Sequence, residues 1–175
     1  MISKGFPTAM AALLTAAMLV HSVPAQAQSN NPFGGFKHDK TAKIEVTANS
    51  LQVMQDQKLA VFEGDVVAGQ DTMRLTTDKL AVTYGSLEGG KSTGEIQHMR
   101  ADGNVFLVNG KETAKGAWAE YDVAGGVIRM GGDVVLTQGD NAIAGQSLEI
   151  DLNTGEARIG GGRVTSVFTP SEKKN

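Results

Sequence analysis

Apolar and polar side chains alternate in short runs along most of the chain, and the runs return at fixed intervals. In Leu148-Glu149-Ile150-Asp151-Leu152 every second side chain is apolar, the period-two signature of a strand with one buried face. Leu80-Ala81-Val82-Thr83-Tyr84 and Ala119-Glu120-Tyr121-Asp122-Val123 repeat it. Each of the three begins sixteen residues after a Gly-Asx-Val tripeptide, at Gly64-Asp65-Val66, Gly103-Asn104-Val105 and Gly132-Asp133-Val134. After the glycines, Val66 and Ala68, Val105 and Leu107, and Val134 and Leu136 fall on one face by the same rule. Upstream, Ile44 and Val46, then Leu51 and Val53, continue the pattern.

The interval back to the next glycine is nearly as regular. Leu51 to Gly64 and Ala119 to Gly132 are thirteen residues each, and Leu148 to Gly162 is fourteen. Leu80 to Gly103 is ten longer, and the surplus falls in the glycine-rich stretch 85–94, read as an extended hairpin loop. The unit is therefore about 29 residues, and a fixed period of this kind predicts stacked strand pairs sharing one continuous core. The Gly-Asx pairs read as turns between strands, with Asp65, Asn104 and Asp133 bonding the local backbone. In the return strands Leu59 and Val61 alternate, but 96–101 and 127–130 hold no single parity, and a bulge before each glycine accounts for that. The fold class that follows is all-β, built from repeated antiparallel strand units.

The two ends stand outside the repeat. Residues 1–27 carry Lys4, an apolar run over 6–20 and the small-x-small site Ala25-Gln26-Ala27, the layout of a secretory signal peptide cleaved near Ala27. The run is shorter than the roughly 20 residues of a membrane span. Residues 28–43 read as a flexible lead-in, 44–168 as the β domain and 169–175 as a polar tail. Past residue 27 the chain has 15 basic and 19 acidic residues, a net charge of −4, which suits no nucleic-acid partner. With no cysteine, an exported chain has neither disulfides nor Cys-ligated metal, and burial with backbone pairing must hold it together.

Candidate chemistry is sparse. Glu120 and Asp122, like Glu149 and Asp151, lie on the face opposite the apolar one, where paired acids are solvated charges and not a hydrolase's cleft acid. One Asx per 29 residues is too few ligands for repeated calcium sites. His38 and His98 have no metal-ligand spacing, and no nucleophile elbow or phosphate-binding loop occurs. No catalytic residue, metal or cofactor is therefore expected. The interior has two possible contents, a dry filled core or a groove. Past residue 27 the aromatics are one Trp, two Tyr and five Phe, and a face of Val, Ala, Leu and Ile suits an adaptable lipid chain.

Phe62-Glu63-Gly64-Asp65-Val66, Thr77-Asp78-Lys79-Leu80-Ala81-Val82 and, upstream, Ile44-Glu45-Val46-Thr47-Ala48-Asn49-Ser50-Leu51 resemble the organic-solvent-tolerance-like (OstA-like) family of lipopolysaccharide export, over residues 43–167. The resemblance implies an open β-jellyroll whose inside holds lipid A acyl chains while the sugars stay in water. The lipid-facing residues are then Ile44, Val46, Leu51, Val53, Val66, Leu80, Val82, Val105, Leu107, Tyr121, Val134, Leu136, Leu148 and Ile150. It also implies a periplasmic bridge that docks through its terminal strands, at Ile44, Val46, Val164 and Val167. The partners would be further copies, head to tail, and related jellyroll domains of inner-membrane and outer-membrane export proteins. The second unit departs from the pattern, with Trp118-Ala119 where the others have Lys79-Leu80 and Ser147-Leu148. Two rival readings are a filled β-solenoid scaffold that polymerises without lipid, and a carbohydrate-active enzyme using Glu120 or Glu149.

Overall fold

The computed structural model describes Phe36, Asp39 and residues 41–86 and 92–170. The expected signal peptide, nearly all of the lead-in up to residue 40, positions 87–91 and the end of the tail lie outside the described residues. Among the described residues ten strands are formed: β1 (Ile44–Thr47), β2 (Ser50–Met54), β3 (Leu59–Gln70), β4 (Met73–Ser86), β5 (Ser92–Asn109), β6 (Glu112–Asp122), β7 (Val127–Gln138), β8 (Asn141–Asp151), β9 (Glu156–Gly160) and β10 (Thr165–Val167). They make one antiparallel sheet in which β3 to β8 pair in sequence order. Both β1 and β2 pair with β3, and both β9 and β10 with β8.

The Gly-Asx pairs do not separate strands, which corrects the turn reading. They sit within β3, β5 and β7 as bulges, where the register jumps from Glu63 to Val66, from Asp102 to Val105 and from Gly131 to Val134. Both residues of each pair are left-handed, for example Gly132 at φ 79° and Asp133 at 58°. Glycine takes that conformation freely and Asx tolerates it best among the rest. The Asx side chains bond side chains of neighbouring segments and not their own backbone. Asn49 Nδ2 donates to Asp65 Oδ2 at 2.9 Å, Asn104 Nδ2 to Asp78 Oδ2 at 2.7 Å and Gln146 Nε2 to Asp133 Oδ1 at 2.9 Å.

These bulges line up as a corner that divides the sheet into two arms. Strands β3 and β6 are three pairings apart, about 14 Å in a flat sheet, yet Tyr121 Oη on one arm donates to Gln70 Oε1 on the other at 3.2 Å. The arms therefore face each other across a shared interior, the folded sheet expected of an open β-jellyroll. The sixteen-residue interval is one excursion along the first arm, out to a two-residue tip such as Gly110-Lys111 and back. The thirteen-residue interval is the same excursion along the second arm. The described part of 85–94 is strand and not loop, with Ser86 paired to Ser92.

Register explains the repeat. On the second arm Phe62, Leu80, Ala101, Ala119, Met130, Leu148 and Ile159 stand side by side in one row. Ala60, Val82, Met99, Tyr121, Ile128, Ile150 and Ala157 form the next. The return strands thus acquire faces: Ala60 and Phe62 point inward in β3, opposite in parity to the alternating Leu59 and Val61. Ile128 and Met130 point inward without a bulge. A register slip that skips Gln97, between Thr83↔His98 and Tyr84↔Ile96, lets Ile96 share the inner face with Met99 and Ala101.

Candidate functional site

The interior between the arms is the largest apolar feature. Val66, Leu80, Val82, Val105, Leu107, Tyr121, Val134, Leu136, Leu148 and Ile150 are all buried there. Ile44 and Val46 of β1 are half-buried and pack against the same core. Leu51 and Val53 share the inward face with their partners Phe62 and Ala60, but β2 is an edge strand and leaves them 54 % and 58 % exposed. They form the rim of the interior and not its floor. Ala119 is buried as well, because the bulk of the second unit goes outward. The Trp118 ring lies flat over Gly131, where an added Cβ would meet it at 2.5 Å, and the Arg100 guanidinium covers that ring at 4.6 Å.

Side chains from both arms fill much of this interior. Between the arms a void of about 50 Å³ remains, lined by residues such as Ile44, Met73, Leu80, Met99 and Tyr121. Phe36, from the segment expected to be a flexible lead-in, is fully buried in the core. Burying such a ring is worth roughly 1.5–3 kcal/mol, which favours a fixed place for this residue. The chain then runs past the mouth, where Gln70 Nε2 donates to the Ala42 carbonyl at 3.0 Å. Thr41, Ala42 and Ile44 there wall an open cleft of about 810 Å³ with Ile96 and Val123.

The arms differ at their outer ends. On the first arm the inner face passes from Val66, Val105 and Val134 at the corner, through Ala68, Leu107 and Leu136, to Gln70, Asn109 and Gln138 at the tips. Glu112 and Asn141 stand beside these amides in register. Gln70, Asn109 and Glu112 are buried. Thr72 Oγ1 donates to Asn109 Oδ1 at 2.6 Å, and Gln138 Nε2 to Glu112 Oε1 at 2.9 Å. The reading by apolar alternation missed this row. Its signal is an amide six residues after every Gly-Asx glycine, at Gln70, Asn109 and Gln138. The second arm ends instead in Tyr84, Ile96, Val123 and Leu152. Burial, then the nearby Asp122 charge, pushes the Tyr121 hydroxyl above its ordinary pKa.

The outer face of the second arm carries a ladder of opposite charges. Arg100, Glu120, Arg129, Glu149 and Arg158 stand side by side in register. Arg100 meets Glu120 at 2.6 Å, Arg129 meets Glu149 at 2.9 Å and Arg158 meets Glu149 at 3.8 Å. Glu120 and Glu149 are therefore cross-strand partners on an open face, without the cleft that a glycosidase acid needs.

At the two ends of the stack the sheet stops short of closure. Strands β1 and β2 border one end and β9 and β10 the other. Leu51 and Val53 are exposed at the first, and Val164, Val167 and Phe168 at the second. Unpaired edges with apolar side chains are templates for strand addition.

Residues 45–156 match the sequence family described as LptA/(LptD N-terminal domain) LPS transport protein. The fold is similar to the crystal structure of LptH, described as the LptA homologous periplasmic component of the conserved lipopolysaccharide transport device from Pseudomonas aeruginosa. The likeness has a TM-score of 0.66 at 19% identity, covering 75% of this chain and 99% of that one. No curated protein matches the chain.

Proposed function

The chain belongs to the LptA/(LptD N-terminal domain) LPS transport protein family, and on that premise we propose that it shields the acyl chains of lipopolysaccharide between its two arms while bridging export components across the periplasm. The observation that carries this reading is the continuous inner wall from Phe62 to Ile159, apolar on every strand and bordered by the exposed Leu51 and Val53. Exposing an acyl chain costs roughly 0.8 kcal/mol per methylene, about 9 kcal/mol for twelve carbons, and such a wall removes that cost. The reading assigns the chain transfer and not catalysis.

The void between the arms is about 50 Å³, so entry of an acyl chain would move the arms apart. Docking is assigned to the terminal strands, with Ile44 and Val46 of one copy meeting Val164 and Val167 of the next. Related jellyroll domains of the membrane-bound export proteins would take the outermost edges by the same strand addition.

A photocrosslinking side chain at Leu51 or Ile150 captures lipopolysaccharide in cells, whereas one at Glu149, on the outer face, does not. Equal capture on both faces sinks the groove. The filled interior favours a second reading, a scaffold that polymerises without lipid. Extraction and mass analysis of the purified protein separates the two, because a scaffold carries no co-purifying amphiphile.

A further inference from the structure

An interior that serves acyl chains alone has no use for a row of amides. Gln70, Asn109 and Gln138 nevertheless occupy equivalent places in all three units, each the last inward residue of its strand. Glu112 joins them between Asn109 and Gln138. The row lies at the first arm's outer end, with the buried Met73 in register between Gln70 and Asn109, and faces an apolar opposing edge. Each buried polar group on it costs free energy unless bonded, so its recurrence needs a reason beyond packing.

We propose that this row is a subsite for the polar linkage region of the bound amphiphile, the hydroxyl and amide groups that join acyl chains to sugar. The inference rests on the lipid-binding reading above and deepens it. Tails lie against the aliphatic rows toward the corner, and the sugars leave between the arms at the tips. Within the protein Gln138 Nε2 holds Glu112 Oε1, Thr72 holds Asn109, and Tyr121 with the Ala42 carbonyl holds Gln70. On uptake, ligand groups replace some of these partners, so the polar atoms exchange one set of bonds for another and the net cost stays small.

The chemistry of the row sets its preference. Glu112 Oε1 accepts from Gln138 Nε2 within the protein, so a ligand hydroxyl or amide N–H can take the place of that donor. The amides accept and donate, and tolerate either. The ester linkages of a glycerophospholipid bring carbonyls, which only accept. They offer Glu112 Oε1 no donor to take the place of Gln138 Nε2. The row therefore discriminates against the commonest competing lipid of a cell envelope while admitting chains of the same length, a difference made by an unmet polar group and not by fit.

The test is displacement of a fluorescent fatty acid from the full chain by three probes: a lipopolysaccharide with a short core, phosphatidylglycerol and laurate. The quantity read is the ratio of lipopolysaccharide to phosphatidylglycerol affinity within each protein, so that a uniform change in affinity drops out. Replacing both partners, Glu112→Leu with Gln138→Leu, lowers that ratio about tenfold. Glu112→Gln, which still accepts, retains a larger part of it and guards against misfolding of the double variant. An unchanged ratio in the double variant overturns the subsite while leaving the groove standing. Failure of laurate to displace the probe from the unmodified protein overturns the groove reading, and the subsite with it.

Discussion

The two arms of the folded sheet are built from the same strands, yet their inner faces end differently. From the corner outward the second arm is apolar throughout, through Leu148, Ile150 and Leu152. The first is apolar for two rows and then turns largely polar, at Gln70, Asn109, Glu112 and Gln138 around a single Met73. A groove for hydrocarbon alone would be apolar on both sides, and a filled core would have no amide at the same place in every unit. The difference gives the interior a direction, an aliphatic depth near the corner and a polar edge on one lip.

The contrast is sharpest within a single row of the second arm. Leu148 and Leu51 belong to the same row, but Leu148 is buried between strands on both sides and Leu51 lies on an edge. Leu148→Ala removes a packed side chain and leaves a cavity, at a cost of about 2–5 kcal/mol. Leu51→Ala changes stability by less than about 0.5 kcal/mol. Urea midpoints measured on both variants decide it. Equal losses would mean that the wall does not thin out toward the edge.

The corner that separates the arms gives the next effect. Gly132 and Gly139 are both left-handed, at φ 79° and 56°, so alanine carries a conformational penalty of about 1–2 kcal/mol at either place. They differ in space. A Cβ on Gly132 meets the Ala117 Cβ at 2.5 Å, whereas one on Gly139, at a first-arm tip, meets nothing within 4 Å. Gly132→Ala therefore lowers the melting temperature more than Gly139→Ala. Equal shifts would show that the corner relaxes freely.

These contrasts also show what was legible in the chain. The sixteen- and thirteen-residue intervals placed Leu80, Ala119 and Leu148 in one row, because in an antiparallel sheet constant excursion lengths return each strand to the same register. The corner was misread as a set of turns, since Gly-Asx has the same local chemistry in a tight turn as in a bulge and only the partner strand tells them apart. Phe36 was missed because no periodicity surrounds it. The amide row was missed because alternation was followed only as far as the apolar residues ran, stopping at Ala68, Leu107 and Leu136. The degree of filling is a matter of side-chain volume across two arms, which no one-dimensional pattern carries.

The smallest effect comes from the hydrogen bond that ties the arms together. Tyr121 Oη on the apolar arm donates to Gln70 Oε1 on the polar one, and Tyr121→Phe removes it at a cost of about 0.5–1.5 kcal/mol near neutral pH. Burial first, and Asp122 second, raise the Tyr121 pKa in the folded protein. A raised folded value means that the contribution is whole below the unfolded value of about 10 and is lost as pH rises through the folded one. The gap in melting temperature between the unmodified protein and Tyr121→Phe therefore closes as pH climbs from 8 past about 10, since the two proteins differ in no other titratable group. A gap that stayed constant would mean that the hydroxyl ionises as freely in the folded protein as in water, and that the arms are not shut at this point.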